Sequence, residues 1–296
     1  MRMKKDKDVM YRKLSYPLSE KVPLQILEYF HGESGRKTFY DMHYELELGY
    51  LTEGSMRRFY PGGSYDCAKG DLWLCGMWEP HGCQIVKAPC NVMIFVIWPP
   101  FLADMFFPEA PGLSLMSIFS EGGKVVRFKD KKDGDIFAGL AKESLEISSK
   151  NDSISMIRKR LVFMQMCLLM LENGSPGTFR NKSRASCDAY SKISIAIDLV
   201  FSSKCQITNQ HAANVCALSE DIFIRLFSNL MGISFAEFSR RHRISGAANA
   251  LASSNRPIKE IAEEWGFTDQ SHLHRLFLKY YSCSPNRYRT TMLEKS

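Results

Sequence analysis

Residues 257–277 read PIKEIAEEWGFTDQSHLHRLF, and this stretch decides the fold of the carboxy-terminal part of the chain. Pro257 suits the first turn of a helix, and apolar side chains then recur at helical spacing over 258–262. Gly266 can adopt the left-handed backbone that a sharp turn requires. Asp269 then begins a second helix as its amino-terminal cap. The pattern predicts two short helices joined by a tight turn.

The second helix of this unit has an apolar face and a polar face. Leu273, Leu276 and Phe277 form a stripe that we expect to be buried. The side chains free to face outward are Gln270, Ser271, His272, His274 and Arg275. Gln can pair with adenine, and Arg with guanine, through two hydrogen bonds each. The outward face therefore has the chemistry needed to read the major groove of double-stranded DNA.

The same plan occurs earlier, over 208–228. Thr208 and Ser219 each stand before a predicted helix as its cap, and Ala217-Leu218 forms the turn between the helices. On the second helix, the expected buried stripe consists of Ile222, Phe223, Leu226 and Phe227. The expected outward face consists of Asp221, Ile224, Arg225 and Ser228. This unit is also predicted to present a helix to DNA, with Arg225 on a base or a phosphate.

A helix of about eighteen residues, predicted over 234–251, would hold the two units at a fixed spacing. If both outward helices enter the same face of DNA, their sites lie roughly 10 base pairs apart. Residues 175–296 also carry 16 Lys and Arg against 10 Asp and Glu, whereas the first 174 residues carry 23 against 22. This local excess of positive charge favours a polyanionic partner.

Residues from Asp188 to Arg289 resemble the DNA-binding domain of the AraC/XylS family of bacterial transcription regulators. The resemblance is carried by Ala212-Ala213, Leu218-Ser219, Arg225-Leu226-Phe227, Gly232, Phe238, Arg243-Ile244, Ala247, Leu251, Ile258, Ile261-Ala262, Gly266-Phe267, Ser271, Arg275, Phe277, Ser284-Pro285 and Tyr288-Arg289. It implies base-reading positions at Asp221, Ile224 and Arg225 in the first unit and at Gln270, Ser271, His274 and Arg275 in the second. The sequence departs from the family at Asn209, where an aliphatic residue is usual, and at Cys283, where Gly is frequent.

The amino-terminal part has a different pattern of residues. Between Tyr29 and Phe119, short apolar runs alternate with turn signals such as Pro61-Gly62-Gly63, which is typical of strands. This part is similar to the cupin-like sensor barrel that precedes the DNA-binding domain in many family members. The segments that carry this similarity are His43-Tyr44-Glu45-Leu46, Gly54, residues 68–74, Glu79-Pro80-His81 and residues 98–102.

A small barrel can hold one small ligand. The candidate effector-binding residues are His43, Glu45, Trp73, Trp78 and His81, with Phe95 as a further apolar wall. Two His and one carboxylate, here His43, Glu45 and His81, can in principle form a facial iron site. Cupin enzymes, however, commonly gather three His and one Glu on their metal. We therefore expect no metal, no cofactor and no catalytic residues, so the chain is not predicted to be an enzyme.

The nine cysteines include no Cys-x-x-Cys pair and are interpreted as reduced thiols. Residues 135–172 have helical spacing and form a predicted helical connection. Its apolar stripe consists of Ile154, Ile157, Leu161, Met164, Leu168 and Leu171. Two interpretations of this stripe stay open, since it can contact a second copy in a homodimer or belong to the core of one chain.

The length of 296 residues favours two compact domains, and 45% hydrophobic with 24% charged residues is ordinary globular composition. The predicted fold class is α+β: a cupin-like β-barrel over 1–134, the helical connection over 135–172, a linker over 173–187 and an all-α domain with two helix-turn-helix units over 188–296. No apolar run is long enough to span a bilayer, and no secretory signal is recognisable, so we expect a cytoplasmic protein.

The sequence thus predicts a sequence-specific DNA-binding transcription regulator, more specifically an activator, controlled by a small effector of unknown identity in the amino-terminal barrel. The expected partners are double-stranded DNA, the effector, RNA polymerase and a second copy of the chain, with no membrane. Two alternatives stay open. One is a cupin metalloenzyme with a DNA-localising tail, and the other is a regulator that senses oxidants through its thiols.

Overall fold

The computed structural model describes residues 9–11, 16–35, 38–60, 63–79, 81–110, 113–120, 125–173 and 189–293. Residues 174–187 of the predicted linker lie outside the described residues. The described strands are β1 (Val9–Tyr11), β2 (Leu24–His31), β3 (Thr38–Asp41), β4 (Leu46–Tyr60), β5 (Gly63–Ala68), β6 (Leu72–Cys75), β7 (His81–Ile97) and β8 (Val125–Val126).

The described helices of the amino-terminal part are α1 (Pro99–Ala103), α2 (Ser117–Ser120), α3 (Lys131–Ile147) and α4 (Ser153–Asn173). Those of the carboxy-terminal part are α5 (Ala189–Ser202), α6 (Asn209–Val215), α7 (Glu220–Met231), α8 (Phe235–Ser253), α9 (Ile258–Glu264), α10 (Gln270–Tyr281) and α11 (Pro285–Leu293). The chain thus combines a sheet followed by helices with a helical carboxy-terminal region, which confirms the α+β class.

The two long strands, β4 and β7, pair antiparallel along most of their length and form the centre of the sheet. β2 and β3 pair with the other edge of β7, whereas β5 and β6 pair with the other edge of β4. β1 lies parallel beside β3, and β8 lies beside β6. Among the described strands, the path β1-β3-β7-β4-β6-β8 does not return to its start. The antiparallel sheet is therefore confirmed, whereas closure into a cupin-like barrel is not.

Register shifts between Leu51 and Met56 interrupt the pairing of β4 with β7. Such bulges bend a strand, so the two halves of β4 and β7 meet different neighbours. Gly54 lies at this bend with a positive φ of 80°, and a Cβ atom there would lie 2.3 Å from the carbonyl oxygen of Pro89. A glycine is therefore required at this close approach.

Alternation along the strands creates two apolar layers, one on each face of the sheet. On one face, Tyr50 contacts Phe137 of α3 and Phe95 contacts Phe163 of α4, with ring centroids 5.2 and 6.1 Å apart. On the other face, Trp73 lies in a separate cluster with neighbours such as Val96. Helices α3 and α4 thus cover only one side of the sheet.

Three helices of the carboxy-terminal region begin at the predicted caps. The side chains of Thr208, Ser219 and Asp269 each accept a hydrogen bond from a backbone N–H in the first turn of α6, α7 and α10, and Ser234 caps α8 in the same way. Among the described residues, no single helix is long and apolar enough to cross a membrane. Among these residues, α7 and α8 taken together have the length and composition of a membrane span, but the chain bends by 62° between them.

Candidate functional site

The second helix-turn-helix unit is fixed to α8 by a buried arginine. Arg243 donates hydrogen bonds to the carbonyl oxygens of Trp265 and Gly266, at 3.3 and 2.7 Å, and lies over the ring of Phe267. Gly266 adopts the predicted left-handed conformation, with a φ of 64°. Because Arg243 binds carbonyl groups at the carboxyl end of α9, its positive charge also interacts favourably with the negative end of the helix dipole. The turn between α9 and α10 is therefore held rigidly.

Helix α10 packs through its apolar face and leaves its polar face open. Leu273 and Phe277 are fully buried, as predicted. The predicted base-reading side chains Gln270, Ser271, His274 and Arg275 are all exposed. His272 differs from expectation, because it is half-buried, packs edge-on against Phe267, and accepts a hydrogen bond from the Thr268 N–H at 3.4 Å. The predicted outward face is otherwise exposed to solvent.

Helix α7 is rotated slightly from the predicted orientation. Phe223 and Phe227 are buried, but Ile222, which was expected inside, is 46% exposed. Ile224, which was expected outside, is half-buried and packs against the core. At the carboxyl end of the helix, the buried face continues with Leu230 and Met231. The exposed residues at the start of α7 also include two of the predicted DNA contacts, Asp221 and Arg225.

Helix α8 contacts both units and so sets their spacing. On one side, Phe235 and Phe238 pack edge-on against Phe227 of α7, with ring centroids 5.2 and 5.4 Å apart. On the other side, Gly246 packs against the ring of Trp265, so closely that a Cβ atom would lie 2.0 Å from it. Helix α8 therefore holds the two outward helices in one rigid domain.

A network around Glu237 joins α8 to α10 and to the amino-terminal region. Glu237 accepts hydrogen bonds from Arg240, Arg241 and Tyr280, at 2.6 to 2.8 Å. Arg241 also donates to the carbonyl oxygen of Met77, at 2.6 Å. Burial raises the pKa of Glu237, but the bonds from Arg241 and Tyr280 outweigh burial and hold that pKa below its usual value.

Aromatic rings complete the contact between the two regions. Trp78 packs against Tyr44, Phe238 and His242, with ring centroids 4.9, 5.1 and 5.7 Å apart. Phe201 of α5 packs edge-on against Tyr44 at 5.0 Å. The described amino-terminal and carboxy-terminal regions therefore share an apolar interface next to α8.

The five predicted effector-binding residues are all buried, but they do not form one site. The structure gathers three of them, His43, Trp73 and His81, around the carboxylate of Glu47, and Glu45 lies against His43. Trp78 lies instead in the interface with α8 and α5, because it occupies the turn after β6. Phe95 faces α4 on the other side of the sheet.

Sequence reasoning missed Glu47 and its partner Arg58. Glu47 follows His43 and Glu45 at two-residue steps, and this spacing, which puts all three on one side of an extended chain, was the available signal. Arg58 lies eleven residues later on β4, and its contact with Glu47 depends on the bend of that strand.

Glu47 uses both oxygens within this cluster. Oε1 accepts hydrogen bonds from Trp73 Nε1 at 2.7 Å and from Arg58 Nη2 at 3.1 Å. Oε2 lies 3.5 Å from His43 Nε2 and 3.4 Å from His81 Nε2. Burial raises the pKa of Glu47, but His81, His43 and Arg58 hold it well below its usual range. The carboxylate is therefore charged although it is buried.

The buried cysteines of the sheet, Cys67, Cys75 and Cys90, offer little support for a thiol switch, whereas Cys205 is exposed. The eight described cysteines are free thiols. Burial raises the pKa of Cys67 and Cys90 to about 11, and burial also raises that of Cys75. Because the thiolate is the reactive form, these groups react slowly with oxidants at neutral pH.

A family model described as "Helix-turn-helix domain" matches residues 212–291. The chain is 37% identical over 87 residues to YbfP of Bacillus subtilis, an HTH-type transcriptional regulator, covering 29% of this chain and 30% of YbfP. It is 27% identical over 157 residues to the HTH-type transcriptional activator RhaR of Mannheimia succiniciproducens, covering 51% of this chain and 53% of RhaR. The chain thus spans less than two thirds of either relative.

The crystal structure of ToxT from Vibrio cholerae aligns with a TM-score of 0.49 at 15% identity, covering 91% of this chain and 98% of that one. YbfP and RhaR are both named as regulators of transcription, and neither is named as an enzyme. The matched residues contain α7 and α10, the two outward helices described above. Residues 212–291 are therefore an AraC-type helix-turn-helix domain, which this chain shares with regulators of transcription.

Proposed function

We propose that this regulator binds double-stranded DNA through α7 and α10, which enter two neighbouring segments of the major groove. One observation carries the proposal: the polar face of α10 is exposed, while Arg243 and Trp265 fix its unit to α8. A rigid unit with an open polar face meets the requirement for reading base edges. The excess of Lys and Arg over residues 175–296 supports the same partner.

The proposed contacts are Gln270, Ser271, His274 and Arg275 on α10, and Asp221, Ile224 and Arg225 on α7. Asp221 can accept a hydrogen bond from cytosine N4, so its negative charge can select a base. Ile222 is more exposed than Ile224 and is the better placed of the two for apolar contact with a thymine methyl group.

We further propose that a small effector in the amino-terminal domain controls DNA binding. The backbone N–H of Trp78 donates a hydrogen bond to the carbonyl oxygen of His43 at 2.7 Å, and the Trp78 ring packs on Phe238 of α8. A ligand near His43 would therefore act on the interface with the DNA-binding domain and shift the population of its arrangements. RhaR is named as a transcriptional activator, and this name supports a role in activation. The proposed partner in activation is RNA polymerase, and the proposed location is the cytoplasm.

A homodimer is the proposed assembly. On α4, the side chains of Ile154, Ile157, Leu161 and Leu168 are 73%, 53%, 55% and 42% exposed. They recur at three-, four- and seven-residue steps along one face, which is the spacing of a two-helix seam. The opposite face, with Phe163 and Met166, is buried against the sheet. A second copy of α4 would cover the exposed stripe.

Arg275→Ala tests the base-reading role. We expect its affinity for the preferred duplex to fall by about 5-fold to 150-fold, because a bidentate contact to a base contributes about 1–3 kcal/mol. Affinity for a duplex of random sequence should change much less. Fluorescence anisotropy at one fixed salt concentration measures both. Lys259→Ala removes a positive charge from an exposed position on α9 and is the matched control. Equal losses on both duplexes would show that Arg275 contacts only phosphate.

A further inference from the structure

The two buried histidines near Glu47 are held in the same tautomer. His43 Nδ1 lies 3.0 Å from the carbonyl oxygen of Glu45, and His81 Nδ1 lies 2.7 Å from that of Glu79. A carbonyl oxygen only accepts hydrogen bonds, so Nδ1 carries the hydrogen in both rings. In the neutral rings, Nε2 is then a bare lone pair. A backbone carbonyl that orients a histidine in this way is the usual second partner of a metal ligand.

Three acceptor atoms converge on one point. The Nε2 atoms of His43 and His81 both face Glu47 Oε2, at 3.5 and 3.4 Å. Neither Nε2 atom makes a hydrogen bond with any residue that the structure describes. The three residues are 3%, 2% and 5% exposed for His43, His81 and Glu47. Two bare lone pairs facing a carboxylate oxygen in such a dry place would repel it, so the cluster needs a positive charge there, either a proton on a ring or a metal cation bound by all three atoms.

The distances between these atoms fit a metal ion. Bonds from Zn²⁺ to imidazole nitrogen and carboxylate oxygen are about 2.0–2.2 Å, so two ligand atoms at a tetrahedral angle lie about 3.4 Å apart. The two separations at Glu47 Oε2 match this value. A charge-assisted hydrogen bond between the same groups would be about 2.7–2.9 Å long. The cluster is therefore too wide for hydrogen bonds and has the width of a coordination site.

The surrounding groups favour a dication and hold its carboxylate ligand. Trp73 and Arg58 fix Glu47 through Oε1, which leaves Oε2 directed at the histidines. Glu45 Oε2 lies 3.6 Å from His43 Nδ1, and burial raises the pKa of Glu45. The carboxyl groups of Glu47 and Glu45 thus lie next to the rings, and Arg58 contributes one positive charge.

We propose that His43, Glu47 and His81 bind a divalent transition-metal ion, with Zn²⁺ as the best match. Two imidazoles and one carboxylate suit Zn²⁺, and three protein ligands leave one position for water or another small ligand. The site uses Glu47, whereas the set considered from sequence contained Glu45. Glu45 instead supports His43 through its carbonyl oxygen. This site is separate from the DNA-binding helices, so it stands or falls independently of the DNA contacts.

The test uses full-length protein that has been stripped with a chelator and then titrated with Zn²⁺ by calorimetry. Metal analysis after desalting gives the stoichiometry. The expected result is one Zn²⁺ per chain in the wild type. His81→Ala should weaken binding by more than about 100-fold, since losing a ligand costs at least as much as losing an outer partner. His211→Ala, which removes an exposed histidine on α6, should bind as the wild type does.

Trp73→Phe is a milder variant that keeps all three ligands and removes one hydrogen bond to Glu47. It should weaken Zn²⁺ binding by about 10-fold to 100-fold. Co²⁺ in place of Zn²⁺ should give the strong visible absorption of a four-coordinate ion. This absorption is measured on the wild type alone, so it tests the metal site even if His81→Ala does not fold. Two results would overturn the proposal: folded wild-type protein that binds neither ion more tightly than His81→Ala does, or a Co²⁺ complex without this absorption. Either result would mean that a shared proton, and not a metal ion, lies between the rings.

Discussion

Gly246 lets α8 approach the second helix-turn-helix unit closely enough to fix it. A Cβ atom at this position would lie 2.0 Å from the Trp265 ring, and that ring belongs to the turn that Arg243 holds. Trp265 cannot move away without disturbing the carbonyl groups that Arg243 binds. The orientation of α10 relative to α8 therefore depends on the absence of a side chain at one residue.

Gly246→Ala should destabilise the protein by about 1–3 kcal/mol, the usual cost of overpacking. Urea unfolding followed by circular dichroism measures the change. Gly139→Ala on α3 is the matched control, because a Cβ atom there meets nothing within 4 Å. That control should be neutral or stabilising by up to about 1 kcal/mol, because Ala favours the helix. Similar effects of the two substitutions would contradict the packing described for α8.

The residues that could be predicted from sequence are those with local partners. The caps Thr208, Ser219 and Asp269 bond to N–H groups three residues away, and that spacing is visible in the sequence. Glu47 could not be assigned, since its partners come from three strands. Ile222 was predicted to be buried and Ile224 to be exposed, but Ile222 is the more exposed of the two. A small rotation of a short helix is enough to change which apolar side chain faces outward.

At the scale of elements, the sequence predicted each type of element better than the pairing between elements. The periodicity of α4 and α10 was sufficient to place both helices, and that of α10 also to place its buried face. The face of α4 that packs on the sheet, with Phe163 and Met166, differs from the apolar stripe visible in the sequence. The long strands β4 and β7 were recognised only as strand-rich sequence, and the register shifts that bend them have no marker except Gly54. Whether a sheet closes depends on such shifts, so closure of the barrel could not be settled from the sequence.

Helix α4 carries the predicted contact between two copies. Leu161→Glu places a charge in the middle of the exposed apolar stripe, so a dimer should dissociate to monomers at micromolar concentration. Sedimentation velocity measures the change in mass. Lys69→Gln alters the net charge by the same amount at an exposed turn and should leave the dimer intact. A wild type that is monomeric at these concentrations, or a Leu161→Glu variant that stays dimeric, would contradict the assignment of this stripe.

At the scale of the whole molecule, Glu237 connects the regions through Arg241, which also binds the carbonyl oxygen of Met77. Since the pKa of Glu237 is held below its usual value, its charged form stabilises the folded state. That contribution is fully present above the unfolded pKa, about 4.3, and is lost as the pH falls through the folded pKa.

Glu237→Gln should therefore reduce the dependence of stability on acid pH. We expect the melting temperature of the wild type to fall more steeply than that of the variant as the pH drops below about 5. Thermal melts in matched buffers between about pH 6 and pH 3 measure both slopes. Parallel slopes would show that Glu237 does not contribute its charge to the folded protein.

The most direct test of the DNA-binding account is selection of bound duplexes from a random pool by the purified full-length protein at near-physiological salt. The account predicts two enriched sequence blocks about 10 base pairs apart, one for each outward helix. Arg225→Ala should remove the preference in one block, and Arg275→Ala should remove it in the other. Enrichment of a single block, or of no sequence at all, would contradict the claim that α7 and α10 both read DNA.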